Sequence, residues 1–211
     1  MPESLKMILV LTAISGIAAL GLSGMNSVTA PRIAENERLF TLRSINRVIP
    51  ETGDPDPCED YRPAFDNEPD QDAVCVQGLK VYRGRSDGKV VGVAVEAVGE
   101  KAYSGTILVL VGLSLDGTVT GVEVLRHAET PGLGAKITDC EWRRQLVGEG
   151  PDEIVWKVTK DGGDVDQISG ATISSRSMID AITKAQELVL EHEDEILSAE
   201  PIDPEEGCNA G

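Results

Sequence analysis

Two short stretches carry residues whose types and spacing suit chemistry. The first is Asp166-Gln-Ile-Ser-Gly-Ala-Thr172, followed by Ile-Ser-Ser. Ser169, Gly170 and Ala171 offer little side-chain bulk, so a backbone turn here can approach a phosphate closely. Beyond Thr172 the apolar residues Met178, Ile179, Ile182, Ala185 and Val189 recur at helical spacing. Ser174 or Ser175 is placed to cap that helix. A phosphate carried on the Thr172 hydroxyl would lie near a helix N-terminus, where free N–H groups and the helix dipole favour anions. The same residues also suit an ordinary small-residue turn, so the reading needs a second site.

That site is His127-Ala-Glu-Thr-Pro-Gly-Leu-Gly-Ala-Lys136. Thr130-Pro131-Gly132-Leu133-Gly134 reads as a compact loop whose glycines permit positive φ and close approach. Glu129 and Lys136 add polar groups beside it. No general base is paired with a nucleophile in either stretch.

Together, in this order, the two stretches resemble the FMN-binding subunits of Rnf and Na⁺-translocating NADH:quinone oxidoreductase complexes. The similarity covers roughly residues 76–189. The G-type subunits of Rnf complexes resemble the chain more than the related C-type subunits of the quinone reductase, which usually carry extra sequence. The resemblance implies that a flavin transferase esterifies FMN to Thr172. It also implies that Asp166, Ser169, Gly170 and Ala171, with His127, Glu129, Thr130, Gly132, Leu133 and Lys136, surround the cofactor. The implied function is electron relay within a membrane complex that moves ions between ferredoxin and NAD, in company with its other membrane subunits. The alternatives are the C-type subunit of the quinone reductase, a stand-alone extracytoplasmic flavin reductase, and a non-enzymatic adaptor with an accidental Ser-Gly-Ala-Thr.

Several elements must position these stretches. Residues 76–82 and 90–98 read as strands around Ser86-Asp-Gly-Lys89, a hairpin signal. Residues 105–115 and 119–125 flank Asp116-Gly117 in the same way. A helix is expected over 137–146, a short strand over 154–159 and a final helix over 174–191. The order predicts an α+β fold: a twisted antiparallel sheet with helices, preceded by one N-terminal transmembrane helix. It lacks the βαβ alternation and glycine fingerprint of a dinucleotide fold.

Residues 7–31 contain no charge, enough for the roughly 20 residues that a spanning helix needs. Val28-Thr29-Ala30 would also serve as a signal cleavage site. Positive charges lie on both sides, Lys6 before and Arg32, Arg43 and Arg47 after, so the resemblance rather than the charge implies a retained single-pass anchor in the cytoplasmic membrane. The flavin domain then lies on the periplasmic or extracytoplasmic side. The divisions read as 1–6, a cytoplasmic end; 7–27, the span; 28–75, a juxtamembrane segment (helical over 33–49) and acidic loop; 76–191, the flavin domain; and 192–211, an acidic tail.

The net charge of −17 is regional, with nine acids between Glu51 and Asp72 and nine more from Glu187 onward. It excludes nucleic acid, which requires clustered Lys and Arg, and suits the steering of a cationic redox partner. The two acidic segments are expected to add little to the stability of the fold. Four cysteines, Cys58, Cys75, Cys140 and Cys208, form no Cys-x-x-Cys pair, so no metal site is expected. Cys58 and Cys75 make the most local of the three pairings that four cysteines allow, and unlinked thiols are an open alternative.

Overall fold

The computed structural model describes residues 2–49, 58, 65–202 and 208. Most of the acidic stretch at 50–64 and residues 203–207 of the tail lie outside these. Two compact units are present, Met1–Phe40 and Thr41–Gly211. The first is the leading part of helix α1 (Glu3–Val48), whose side chains Met7, Ile8, Leu11, Ile14, Ile17, Leu20 and Leu22 are all exposed. An apolar helix that exposes its whole circumference to solvent suits a lipid surround. The apolar segments on either side of Pro31, read separately from the sequence, belong to this one helix.

The second unit is built on a five-stranded antiparallel sheet in sequential order: β1 (Ala73–Val76), β2 (Leu79–Ser86), β3 (Lys89–Ala102), β4 (Gly105–Leu113) and β5 (Val119–Arg126). The sheet, the helices and hence the expected fold class are all present. Asp87 and Gly88 both have positive φ, which matches the twist of the flanking strands across a two-residue hairpin. Residues 76–82, read as one strand, divide at a second such turn, Gln77-Gly78, with Val76 facing Leu79. Gln at the first left-handed position is not the Asn or Asp that normally signals this turn.

One face of the sheet, including Val93, Val95, Val109 and Val111, packs on Met178, Ile182, Ala185 and Val189 of helix α3 (Thr172–Glu191). At Gly99 a Cβ would lie 2.6 Å from Ser177 Oγ and would overlap the Ser177 carbonyl oxygen, so this strand position must be glycine for α3 to lie so close. The opposite face, with Ala94, Leu110 and Tyr82, receives Ile45, Val48 and Ile49 at the end of α1. Gly112 and Gly121 are cross-strand partners. A Cβ on Gly112 would overlap the Val48 carbonyl oxygen, and one on Gly121 would lie 3.1 Å from it. Thr120 Oγ1 donates to that same carbonyl at 2.5 Å, satisfying one acceptor left over at the helix end.

Two expected elements take other forms. Residues 137–146 make a 3-10 turn (Gly134–Thr138), a one-turn helix α2 (Cys140–Arg143) and a second 3-10 turn (Arg144–Leu146), because Asp139 is extended and breaks the run. Residues 154–159 are not a strand. Their backbone groups bond within a tight loop, Asp164 N to Val155 O and Thr159 N to Val165 O, leaving only an isolated bridge between Val158 and Val165.

The end of the chain is held to the sheet, contrary to expectation. Helix α4 (Glu193–Ser198) buries Ile196. The buried Arg83 guanidinium donates to the carbonyls of Ile196 and Ala199, both at 3.0 Å, and also pairs with Asp72. Ile202 N donates to Ala73 O at the β1 edge. Disulfides join Cys75 to Cys208 and Cys58 to Cys140, rather than Cys58 to Cys75. Both closures span long stretches of sequence, 82 and 133 residues, which a preference for local loops misses.

Candidate functional site

The two stretches singled out in the sequence meet at the start of α3. Thr172 is the first residue of that helix, two residues ahead of the expected start at Ser174. Its N-cap is Ala171, and no side chain caps the helix. Neither Ser174 nor Ser175 serves as a cap. Ser174 Oγ donates to Glu129 Oε2 at 2.6 Å, while Ser175 Oγ accepts from Ile168 N and donates to Ala171 O. The N-terminus of a 20-residue helix is therefore left with amides and a dipole that favour an anion.

Ahead of Thr172, Ser169 and Gly170 are exposed and Gly170 has φ +78°, the left-handed turn that glycine enters without strain. The turn is anchored upstream at Asp166, whose N–H donates to Gln145 Oε1 and whose carbonyl accepts from Trp142 Nε1 at 2.8 Å. The Asp166 side chain itself is exposed.

The loop from His127 comes against this turn. A Cβ on Gly170 would touch Leu133 Cδ2 at 3.3 Å. Thr130 O accepts from both Leu133 N and Ala135 N, closing the loop around Pro131 and Gly132. Thr130, Gly132 and the Lys136 side chain are exposed. His127 Nδ1 accepts from Glu129 N at 3.2 Å, which places the neutral ring's proton on Nε2.

Glu129 is only 6% exposed. Its carboxylate accepts from Ser104 N at 2.9 Å and from Ser174 Oγ at 2.6 Å. Both oxygens are thus engaged inside the fold. Three large apolar side chains in these same segments stay open to solvent: Tyr103 (73%), Leu133 (47%) and Ile173 (45%). Tyr103 precedes Ser104 in the β3–β4 turn, Leu133 lies beside Gly170, and Ile173 follows Thr172. An uncapped helix end, a small-residue turn and an apolar rim together fit a phosphate that carries a flat, largely apolar ring system.

Sequence reasoning did not count Tyr103 or Ser104 among the site residues, nor give these roles to Ser174, Trp142 and Gln145. Their partners lie far along the chain, and only the fold pairs them. Arg176, one turn into α3, forms a two-point ion pair with Asp161 at 2.6 and 2.8 Å. The hydrogen bond to Arg176 holds the Asp161 carboxyl below its usual range and lifts the guanidinium.

Residues 102–187 match the model of the FMN-binding domain family. The chain is 34% identical over 176 residues to the G subunit of the ion-translocating oxidoreductase complex of Vibrio cholerae, covering 81% of this chain and 82% of that protein. The corresponding G subunit of Aliivibrio fischeri is 33% identical over 207 residues, 92% of each chain. That of Shewanella baltica is 35% identical over 190 residues, 83% of this chain and 84% of that one. Among solved structures, NqrC of Shewanella oneidensis is similar at 27% identity and a TM-score of 0.46, over 57% of this chain and 62% of the other. The chain belongs to the family of ion-translocating oxidoreductase complex G subunits.

Proposed function

We propose that the protein is the FMN-carrying electron-relay subunit of an Rnf-type ion-translocating oxidoreductase. In this reading α1 anchors it in the cytoplasmic membrane and the flavin domain lies on the extracytoplasmic side. FMN is held as a phosphoester of the Thr172 hydroxyl. The observation that carries the attachment is the position of Thr172: first residue of an uncapped helix, behind a positive-φ glycine, within an apolar rim.

A flavin transferase would form the ester. With a flavin dinucleotide as donor, the Thr172 oxygen bonds to the FMN phosphorus as the pyrophosphate P–O bond breaks. The nucleoside monophosphate leaves and the hydroxyl proton passes to the medium. The chain's own part is to present the hydroxyl and receive the phosphate charge at the helix N-terminus. Ser169 to Ala171 keep side chains out of the phosphate's way, and Tyr103, Leu133 and Ile173 exclude water from one side of the ring. Bound FMN supplies one- and two-electron chemistry that no side chain can. Covalent attachment suits a domain outside the cytoplasm, where a lost cofactor is not readily replaced.

The test is intact-mass spectrometry of protein produced with a flavin transferase. One FMN adduct is expected in the wild type and none in Thr172→Ala, with the same thermal melt. An adduct retained in that variant would refute the attachment site.

A further inference from the structure

Three segments converge on a single buried side chain. The β3–β4 turn reaches Glu129 through the Ser104 amide at 2.9 Å. The first turn of α3 reaches it through the Ser174 hydroxyl at 2.6 Å. The loop that carries Glu129 closes over it, and Gly134 completes the enclosure. A Cβ at Gly134 would overlap Glu129 Oε2 and lie 2.7 Å from Ser174 Oγ, so a larger residue would push this carboxylate out of its place. The second glycine of Pro131-Gly-Leu-Gly134 therefore makes room for this carboxylate. His127 fixes the same residue from the backbone side.

Resting on the reading that Thr172 carries FMN, we propose that Glu129 is a positioning residue that never touches the flavin. Ser174 lies two residues after Thr172 in the same helical turn, so a charge-assisted bond at Ser174 holds in place the backbone turn that presents Thr172. The bond at Ser104 sets the turn bearing Tyr103 against the same helix end. Glu129 thus aligns the attachment point with two sides of the rim before any cofactor arrives. Orientation of this kind governs the rate of a group transfer more than its final extent.

The carboxylate has a second effect. Reduction of a bound flavin would add negative charge to it. A fixed negative charge shielded from water and bonded to the helix turn that carries Thr172 would oppose that added charge. The helix N-terminus acts in the opposite direction. Removing the Glu129 charge while keeping its shape leaves the helix end unopposed and makes the flavin easier to reduce.

The experiment uses the full-length protein in detergent with its flavin transferase, comparing the wild type with Glu129→Gln, Glu129→Ala and Ser174→Ala. Flavin adduct is followed against time by mass spectrometry, and the loaded proteins are titrated with dithionite. Glu129→Ala and Ser174→Ala are expected to load about tenfold more slowly, the scale set by losing one hydrogen bond to a charged group. Glu129→Gln should recover most of that rate and show a more positive midpoint potential than the wild type. If Glu129→Ala fails to fold, Ser174→Ala decides the positioning claim alone. Loading of Ser174→Ala at the wild-type rate, or an unchanged potential in Glu129→Gln, overturns the proposal. A wild type that takes up no flavin would instead overturn the reading of Thr172.

Discussion

Tyr82 sits inside the sheet face that receives the end of α1, with its hydroxyl donating to Glu96 Oε1 at 2.6 Å. Burial, followed by the charge of Glu96 and its hydrogen bond, raises the phenol far above its ordinary range. The folded protein therefore keeps this proton at a pH where the unfolded chain releases it. A raised folded-state pKa means that the contribution is complete below pH ~10 and is lost as pH climbs past it. Tyr82→Phe should lower stability at neutral pH, because Glu96 loses its partner. The gap between variant and wild type should stay constant up to about pH 10 and narrow above it in denaturant unfolding. A constant gap would mean that Tyr82 does not drive the alkaline loss. At this scale the two stretches singled out in the sequence are brought together by the fold. Thr172, Gly170 and Leu133 meet because two local motifs each form a local turn. Glu129 was picked out in the sequence, but not its hydrogen bonds to Ser104 and Ser174. Its partners, Ser104 and Ser174, are ordinary serines until β4 and α3 bring them within reach.

Among the elements, the paired glycines Gly112 and Gly121 turn a sheet face into a trough for the last turn of α1. Gly112→Ala would force Val48 and its carbonyl away, breaking the bond from Thr120 and opening the contact of Ile45 with Leu110. Overpacking of this kind costs about 1–3 kcal/mol. Denaturant titration should show that loss with an unchanged slope, and near-neutral behaviour would mean that the helix end shifts freely. Element type was legible wherever alternation or helical spacing ran long, as in β3, β4, β5 and α3. It failed where the chain is short and self-bonded. Residues 154–159 have strand-like composition, but Gly163 packs so closely on the Lys157 carbonyl that the segment folds back on itself. The Gln77-Gly78 turn was missed for a different reason, since composition alone does not reveal two residues with positive φ.

On the scale of the whole molecule, the net charge of −17, concentrated in two acidic segments, suggested that these add little to the stability of the fold. The C-terminal end proves to be fastened by Ile196, by Arg83 and by the link from Cys75 to Cys208. Truncation after Ser198 removes the Ala199 carbonyl from Arg83, the Ile202 bond to β1 and the disulfide together. Loss of a disulfide of this span costs about 2–5 kcal/mol. The truncated protein should therefore melt well below the intact one, and reduction of the intact protein should reproduce much of the drop. Equal melting temperatures would show that the fastening is idle.

The cysteines pair in an interleaved order, 58 with 140 and 75 with 208. A single backbone cut anywhere between residues 58 and 208 therefore leaves at least one covalent bridge across the break. A protease can open a loop in this domain without setting a piece free, and Thr172 with whatever it bears stays joined to the chain that enters the membrane. Under oxidising conditions a nicked molecule runs on a denaturing gel as one species, and it separates into two only when thiol is added.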